Sequence, residues 1–319
     1  MQERWQTILQ TQTLTTAEII KICGISKVQF EQIHERFPVR VNRELLKNDS
    51  NPGSPILQQF LPDLRELTEQ GQTDPLLEEC YRQGITLIHR YPNRILFLVS
   101  NVCASYCRYC TRRRQVGRSP NPSPQEIEAG IRYIATHPEV NEVILSGGDP
   151  LLLQDSKIVA ILQKLRGIGH VQLIRVSTRT LGILPQRITT NLVKIFQRHH
   201  PLIIITQFNH PDEFSVASDR AIKRLIDHGI PVLNQSVLLK GINADREVML
   251  ALVQKLVQRR IRPYYLHQLD PVKGTLHFET PIERGREIIA FLRKKIGGHA
   301  IPQYVTDDPA QEAKTLLAY

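Results

Sequence analysis

The spacing of apolar residues changes near Arg94. In residues 1 to about 90 they recur at helical intervals, as in Ala17-Glu-Ile-Ile-Lys-Ile, or lie between breakers such as Asn51-Pro-Gly-Ser-Pro55. This part is predicted to be helical and irregular. From Arg94 onward short β-branched runs alternate with amphipathic stretches of helical length. The runs cover residues 95–99, 143–145, 173–176, 202–205, 232–237 and 264–267. Six strands separated by helices predict a parallel sheet with right-handed crossovers.

The helix ends carry their own signals. Ser123-Pro124-Gln125-Glu126 and Thr280-Pro281-Ile282-Glu283 each offer a hydroxyl N-cap, a proline at the first helical position and a glutamate that reaches back. Gly229 follows the apolar spacing of residues 221–228 and suits a left-handed C-cap. Polar residues gather at or just after the predicted strand ends: Ser146-Gly-Gly-Asp-Pro150, Ser177-Thr-Arg-Thr180, Gln207-Phe-Asn-His210, Gln235-Ser236 and Asp270. In a barrel such ends meet at one mouth, whereas in a flat doubly wound sheet they spread along an edge. A partial α/β barrel is therefore expected, with three parts: a helical N-terminal extension (1–90), the barrel (91–296) and a short C-terminal segment (297–319).

Composition narrows the setting. The 319 residues, 41% of them hydrophobic, suffice for one main domain with an appendage. No apolar run approaches the roughly 20 residues that span a bilayer, and Met1-Gln-Glu-Arg-Trp-Gln lacks the order of a signal peptide. Five cysteines, an odd number, fit a reducing compartment, so a cytoplasmic protein is expected. The formal charge of +10 raises the question of nucleic acid. However, Arg259-Arg260 and Arg293-Lys294-Lys295 fall at predicted helix ends, where cations complement the dipole. The excess reads as solvated surface plus sites for anionic cofactors.

Three of the five cysteines fall in one loop after the first predicted strand, at C-x3-C-x2-C spacing: Cys103, Cys107 and Cys110. Four thiolates would close the shell of a structural zinc or an ordinary ferredoxin-type cluster. Three imply a metal centre with a position left open for a ligand. The bland alternative, that these cysteines pack as small hydrophobes, fits poorly with the arginines beside them.

With Tyr109 just before the last cysteine, this loop resembles the signature of radical S-adenosylmethionine (SAM) enzymes. The resemblance implies a 4Fe-4S cluster on Cys103, Cys107 and Cys110, with SAM on the open iron. It also implies SAM contacts from Tyr109, Gly147, Gly148, Asp149 and Gln235. Downstream, Leu184-Pro-Gln-Arg-Ile-Thr189, Phe208-Asn-His-Pro211, Asn234-Gln-Ser-Val-Leu-Leu239, Pro263-Tyr-Tyr265 and His277-Phe278 resemble the lysine 2,3-aminomutase family. These blocks, taken with the cysteine loop, appear in the family's order, which makes them more specific together than singly.

That resemblance implies pyridoxal phosphate (PLP) on Lys314, with Arg90, Arg94, Arg179 and His267 around it. Arg112 would pair with the substrate carboxylate, and Asp270 and Asp307 with the ammonium of lysine. The family's run of glycines before the lysine is replaced here by Ala310-Gln-Glu-Ala313. His267, in place of a tyrosine, resembles the branch that prepares β-lysine for elongation factor P, while Thr111-Arg-Arg-Arg114 resembles the free-lysine branch. The expected activity is migration of the 2-amino group of L-lysine to carbon 3. An electron donor such as flavodoxin or ferredoxin is implied. The alternatives are another amino acid, β-lysine supply for elongation factor P, or a basic RNA- or translation-factor-binding protein without turnover.

Overall fold

A computed structural model describes residues 4–47 and 51–318. Met1 to Glu3, the start of the stretch read for a signal peptide, lie outside the described residues. The six expected strands form, and they are the middle of a larger sheet. In chain order the strands are β1 (Arg82–Gln83), β2 (Leu87–Tyr91), β3 (Arg94–Ser100), β4 (Glu142–Gly147) and β5 (Leu173–Thr178), followed by β6 (Leu202–Thr206), β7 (Val232–Val237), β8 (Arg262–His267), β9 (Gln303–Thr306) and β10 (Thr315–Leu316). Spatial order follows chain order. Strands β3 to β9 run parallel, and the antiparallel pairings lie at the two edges.

An order without reversal means that every right-handed crossover moves the same way and puts its helix on the same face. These helices are numbered after three in the N-terminal region, α1 (Arg4–Thr11), α2 (Thr16–Cys23) and α3 (Lys27–Arg36). The crossover helices are α4 (Pro124–Ala135), α5 (Asp155–Arg166), α6 (Thr180–Ile183), α7 (Thr190–Gln197), α8 (Val216–Asp227), α9 (Arg246–Gln258) and α10 (Ile282–Lys295). The period of two along each strand then separates two environments. Ile95, Phe97, Val143, Leu145, Ile174, Val176 and Ile204 pack into the main core beneath the helices. Their neighbours Leu96, Ile144, Arg175, Ile205, Gln235 and Tyr265 line a single cavity. One cavity touched by six consecutive strands requires the sheet to curl, so the fold is an open α/β barrel.

The N-terminal helices have a core of their own, built on Trp5, Leu14, Ile19, Phe30 and Phe60. It also takes in Ala104 of the cysteine loop together with Ile183 and Leu184. The extension thus packs directly against the loop. Among the described residues no helix is long and apolar enough to cross a membrane.

Three elements differ from the sequence reading. The expected boundary after residue 90 falls inside β2, so the end of the N-terminal extension supplies an edge hairpin. The C-terminal segment supplies β9, a seventh parallel strand. Both strands are short and mix polar with apolar residues, and pairing with β3 and β8 decides their conformation. The cap of α4 forms as read, with Glu126 N donating to Ser123 Oγ at 3.2 Å and Ser123 N to Glu126 Oε2 at 2.6 Å. Helix α10 starts one residue later than its signal, with Pro281 at the N-cap at ψ 147°. Thr280 caps nothing, and its buried hydroxyl has no partner among the described residues.

Candidate active site

The cavity inside the sheet has a volume of about 400 Å³, within the usual range for small-molecule sites. Every residue expected to act lines it. Cys103, Cys107, Cys110, Tyr109 and Arg112 come from the loop after β3, and Gly147, Gly148 and Asp149 from the end of β4. Arg179, Gln235, His267 and Asp270 follow from β5, β7 and β8, while Asp307 and Lys314 flank the loop after β9. Arg90 and Arg94 come from β2 and β3.

Two glycines hold the cysteine loop in place. Gly148 N donates to Ser100 O at 2.6 Å, and Asp149 N to Val102 O at 2.9 Å. Gly147 has φ +112°, and a Cβ there would meet Ser100 O at 2.1 Å. One on Gly148 would meet Val102 N at 2.6 Å. The glycines are therefore required by the close approach of the chain to itself. The Asp149 carboxylate, expected at the SAM amino group, turns into the protein instead. It accepts from Thr178 Oγ1 at 2.8 and 2.9 Å, from Arg179 N at 2.9 Å and from Leu151 N at 3.0 Å.

The three thiols sit in the cavity wall. Burial pushes the Cys110 thiol up to about 11, assisted by Cys107, and pushes Cys103 well above its ordinary value. Such thiols stay protonated unless a soft metal takes the proton's place. Among the described residues no three His, Cys, Asp or Glu side chains converge on one ion. The donors are all sulfur, which suits iron–sulfur or zinc chemistry and not calcium or magnesium.

Tyr109 is buried beneath them. Its hydroxyl accepts from Asn209 Nδ2 at 2.6 Å and from Gln207 Nε2 at 3.1 Å, and donates to Gln59 Oε1 at 3.3 Å. Arg179, expected at the PLP phosphate, belongs to this same wall. Its Nη1 donates to Cys107 Sγ at 2.8 Å, and its Nη2 to Gln59 Oε1 and to Glu213 Oε2 at 3.1 Å.

The opposite wall is ionic. Asp307 bridges two cations, pairing with Lys314 Nζ and with Arg90 Nη1 at 2.6 Å, and it accepts from the Tyr91 hydroxyl at 3.2 Å. Burial alone would raise the Asp307 carboxyl, but Lys314 and Arg90 hold it below its usual range. Arg90 also donates to Asp308 O and Gln311 O, which fastens the glycine-poor loop to β2. The Asp270 carboxylate has no hydrogen-bond partner among the described residues, although the residue's backbone oxygen accepts from Val272 N at 2.7 Å. Burial and the nearby Asp307 push the carboxyl up to about 7, against the opposing pull of Lys314. His267, half-buried in the cavity wall, is lowered to about 3 by desolvation and by Lys314 and is neutral. Arg112 pairs with Glu78 at 2.5 Å. Arg94 lies with its guanidinium carbon 3.8 Å from the Tyr91 ring centroid and donates to Asn93 Oδ1 at 3.4 Å.

Sequence reasoning missed Glu78, Gln59, Glu213 and Arg175. Glu78 holds Arg112 and Arg114, and Arg175 lines the cavity while paired with Glu142. The Nε atoms of Arg112 and Arg175 are buried without a partner among the described residues. A cavity walled by such cations beside a primary amine fits an anionic carbonyl compound such as PLP. The only advance signal was the acidic pair Glu78-Glu79, because the partners lie far away in sequence.

Comparison with known proteins adds the following. A family model described as the Radical SAM superfamily matches residues 97–253. The L-lysine 2,3-aminomutase of Clostridium subterminale is 40% identical over 98% of this chain and 76% of its own length. The glutamate 2,3-aminomutase of Clostridioides difficile is 38% identical over 98% of this chain and 76% of its own length. The chain spans between 58% and 96% of the length of the curated L-lysine 2,3-aminomutases it matches. A radical SAM methyltransferase from Sphaerobacter thermophilus shares the fold, with a TM-score of 0.51 at 15% identity over 96% of this chain and 95% of its own.

Proposed function

Because the chain belongs to the lysine 2,3-aminomutase family of radical SAM enzymes, we propose that it moves the 2-amino group of L-lysine to carbon 3, giving β-lysine. One observation carries the choice of substrate: Asp270, half-buried and with no hydrogen-bond partner for its carboxylate among the described residues, lies beside Asp307 in the cavity that also holds Lys314 and the cysteine loop. Two neighbouring carboxylates repel each other, and an ammonium placed between them relieves that cost. A glutamate side chain would add a third negative charge at the same place.

In this reading Cys103, Cys107 and Cys110 hold a 4Fe-4S cluster, and Lys314 is the attachment point of PLP. When bound, the cluster and SAM supply hydrogen-atom abstraction, and PLP supplies the conjugated system through which the amino group migrates. Arg94 and the unpartnered Nε of Arg175 serve the phosphate. Arg112, released from Glu78, takes the substrate carboxylate, and Asp270 and Asp307 accept the distant ammonium. Asp307 holds Lys314 in an ion pair until PLP arrives, and Arg90 holds the loop that carries both. The buried walls exclude water from reactive species. A low-potential one-electron donor such as a flavodoxin or ferredoxin completes the system.

The test is incubation of the anaerobically reconstituted protein with labelled L-lysine, SAM, PLP and a reductant, with L-glutamate in a parallel reaction. β-Lysine as the main product supports the reading. Turnover of glutamate at an equal or greater rate would overturn the substrate assignment.

A further inference from the structure

We infer that Arg179 is a positioning residue for Cys107, one that sets how readily an iron–sulfur cluster on the three cysteines accepts an electron, and not a phosphate ligand. The inference rests on the cluster reading above and concerns one side chain that the reading leaves without a role.

Both terminal nitrogens of the guanidinium are engaged, while Nε is buried without a partner among the described residues. Nη1 points at Cys107 Sγ, 2.8 Å away. Nη2 is divided between Gln59 and Glu213. The plane is held near two rings, with the guanidinium carbon 4.5 Å from the Phe60 centroid and 5.6 Å from that of Tyr109. Its backbone N–H is fixed on Asp149 at 2.9 Å. The partners are anchored in turn, since Glu213 Oε1 accepts from Asn209 N at 2.8 Å and from His210 N at 3.0 Å. Turning Arg179 toward a phosphate would leave Glu213, 3% exposed, and Gln59, fully buried, without their cation. Breaking one partner out of such a buried pair leaves an uncompensated buried charge, which is strongly destabilising. The arginine is thus built to stay beside the sulfur.

A donor and a full positive charge at a ligand sulfur favour the state of the cluster with more negative charge, and hydrogen bonds to sulfur are among the levers on cluster potential. Reduction adds one electron to the cluster, from the 2+ to the 1+ state, with the electron supplied by the external donor. Arg179 stabilises the reduced side. Glu213, the anion behind it, opposes reduction and at the same time orients the arginine. The two residues should therefore shift the cluster in opposite directions, a pattern that simple loosening of the fold does not produce.

The experiment uses the full chain with reconstituted cluster and compares wild type with Arg179→Met, Arg179→Lys and Glu213→Gln. Dithionite-driven redox titration is followed by electron paramagnetic resonance, iron content is measured, and PLP binding is followed by absorbance. Arg179→Met is expected to lower the ratio of reduced to oxidised cluster at a fixed potential about tenfold, equivalent to about 59 mV for a one-electron couple. Glu213→Gln should move the ratio upward, Arg179→Lys should fall between Arg179→Met and wild type, and PLP affinity should change less than about twofold. Should Arg179→Met fail to hold iron, the opposite shifts of Arg179→Lys and Glu213→Gln carry the test. An unchanged potential with weakened PLP binding would return Arg179 to the phosphate, and shifts of the same sign in all variants would reduce it to a structural brace. Failure of the wild type to take up about four irons per chain would instead remove the cluster reading itself.

Discussion

The two walls of the cavity are built on different principles. The cysteine wall is assembled from a short stretch of chain and locked by hydrogen bonds with little slack: Gly148 and Asp149 hold Val102 and Ser100, and Tyr109 is held by Asn209 and Gln207. The Lys314 wall is assembled from distant segments and is held by charge. There one carboxylate, Asp307, serves both Arg90 and Lys314, and the carboxylate of its neighbour Asp270 has no hydrogen-bond partner among the described residues. A wall locked by backbone geometry is suited to hold a permanent group. A wall of shared ion pairs is suited to exchange partners, because a new cation or anion can replace an old one at small net cost.

The largest expected effect lies on the exchanging wall. Lys314→Ala should abolish the borohydride-reducible PLP adduct, read by mass spectrometry of the reduced protein, and with it all β-lysine formation. Iron content should stay within about 20% of wild type if the two walls are independent. A retained adduct would show that a different lysine anchors PLP.

The converse break is Gly147→Ala. Its φ of +112° alone costs an alanine roughly 1–3 kcal/mol, and the methyl group collides with Ser100 O. Iron retention after reconstitution should fall severalfold or more, while PLP binding stays within about threefold of wild type. Gly169→Ala, where an added Cβ meets nothing within 4 Å, is the matched control. Equal iron loss in both variants would show that the locking contacts matter less than the geometry implies.

A smaller effect separates substrate from cofactor. Asp307→Asn removes the shared carboxylate and should raise the KM for lysine about 30-fold, about 2 kcal/mol, with reductive SAM cleavage affected far less. A parallel loss of both activities would place Asp307 in the general structure of the wall rather than at the substrate ammonium.

The same contrast explains what could be read from the sequence. The cysteine loop and Ser146-Gly-Gly-Asp-Pro150 were legible because their chemistry is local, with spacing, glycines and strand ends lying within a few residues. The alternation of strands and helices was legible for the same reason. The partners that decide the electrostatics were not, since Glu78 reaches Arg112 and Gln59 reaches Arg179 only through the fold. Arg179 is the instructive case. Its motif marked it as a cation in a site, but only the side-chain direction tells which wall it serves. Strands β2 and β9 were missed because a short edge strand takes its conformation from the partner it pairs with.

The smallest effect concerns stability without ligands. The Asp270 carboxyl is raised from its ordinary value to about 7 by burial and by Asp307. Between about pH 4 and pH 7 the folded protein therefore keeps a proton on this group that the unfolded chain has released. The unfolded state binds fewer protons in that window, so this group's contribution makes stability fall as pH rises through it. Asp270→Asn cannot ionise and escapes the loss. The cofactor-free variant should melt a few degrees above wild type at pH 8, and the gap should close toward pH 5, as measured by thermal denaturation at both pH values. Adding L-lysine should narrow the gap at pH 8 by stabilising only the wild type, because the ammonium supplies the counter-charge that the wall lacks. A gap that does not depend on pH would mean that Asp270 is not strained by its neighbours, and the attraction proposed between this wall and the lysine ammonium would lose its physical basis.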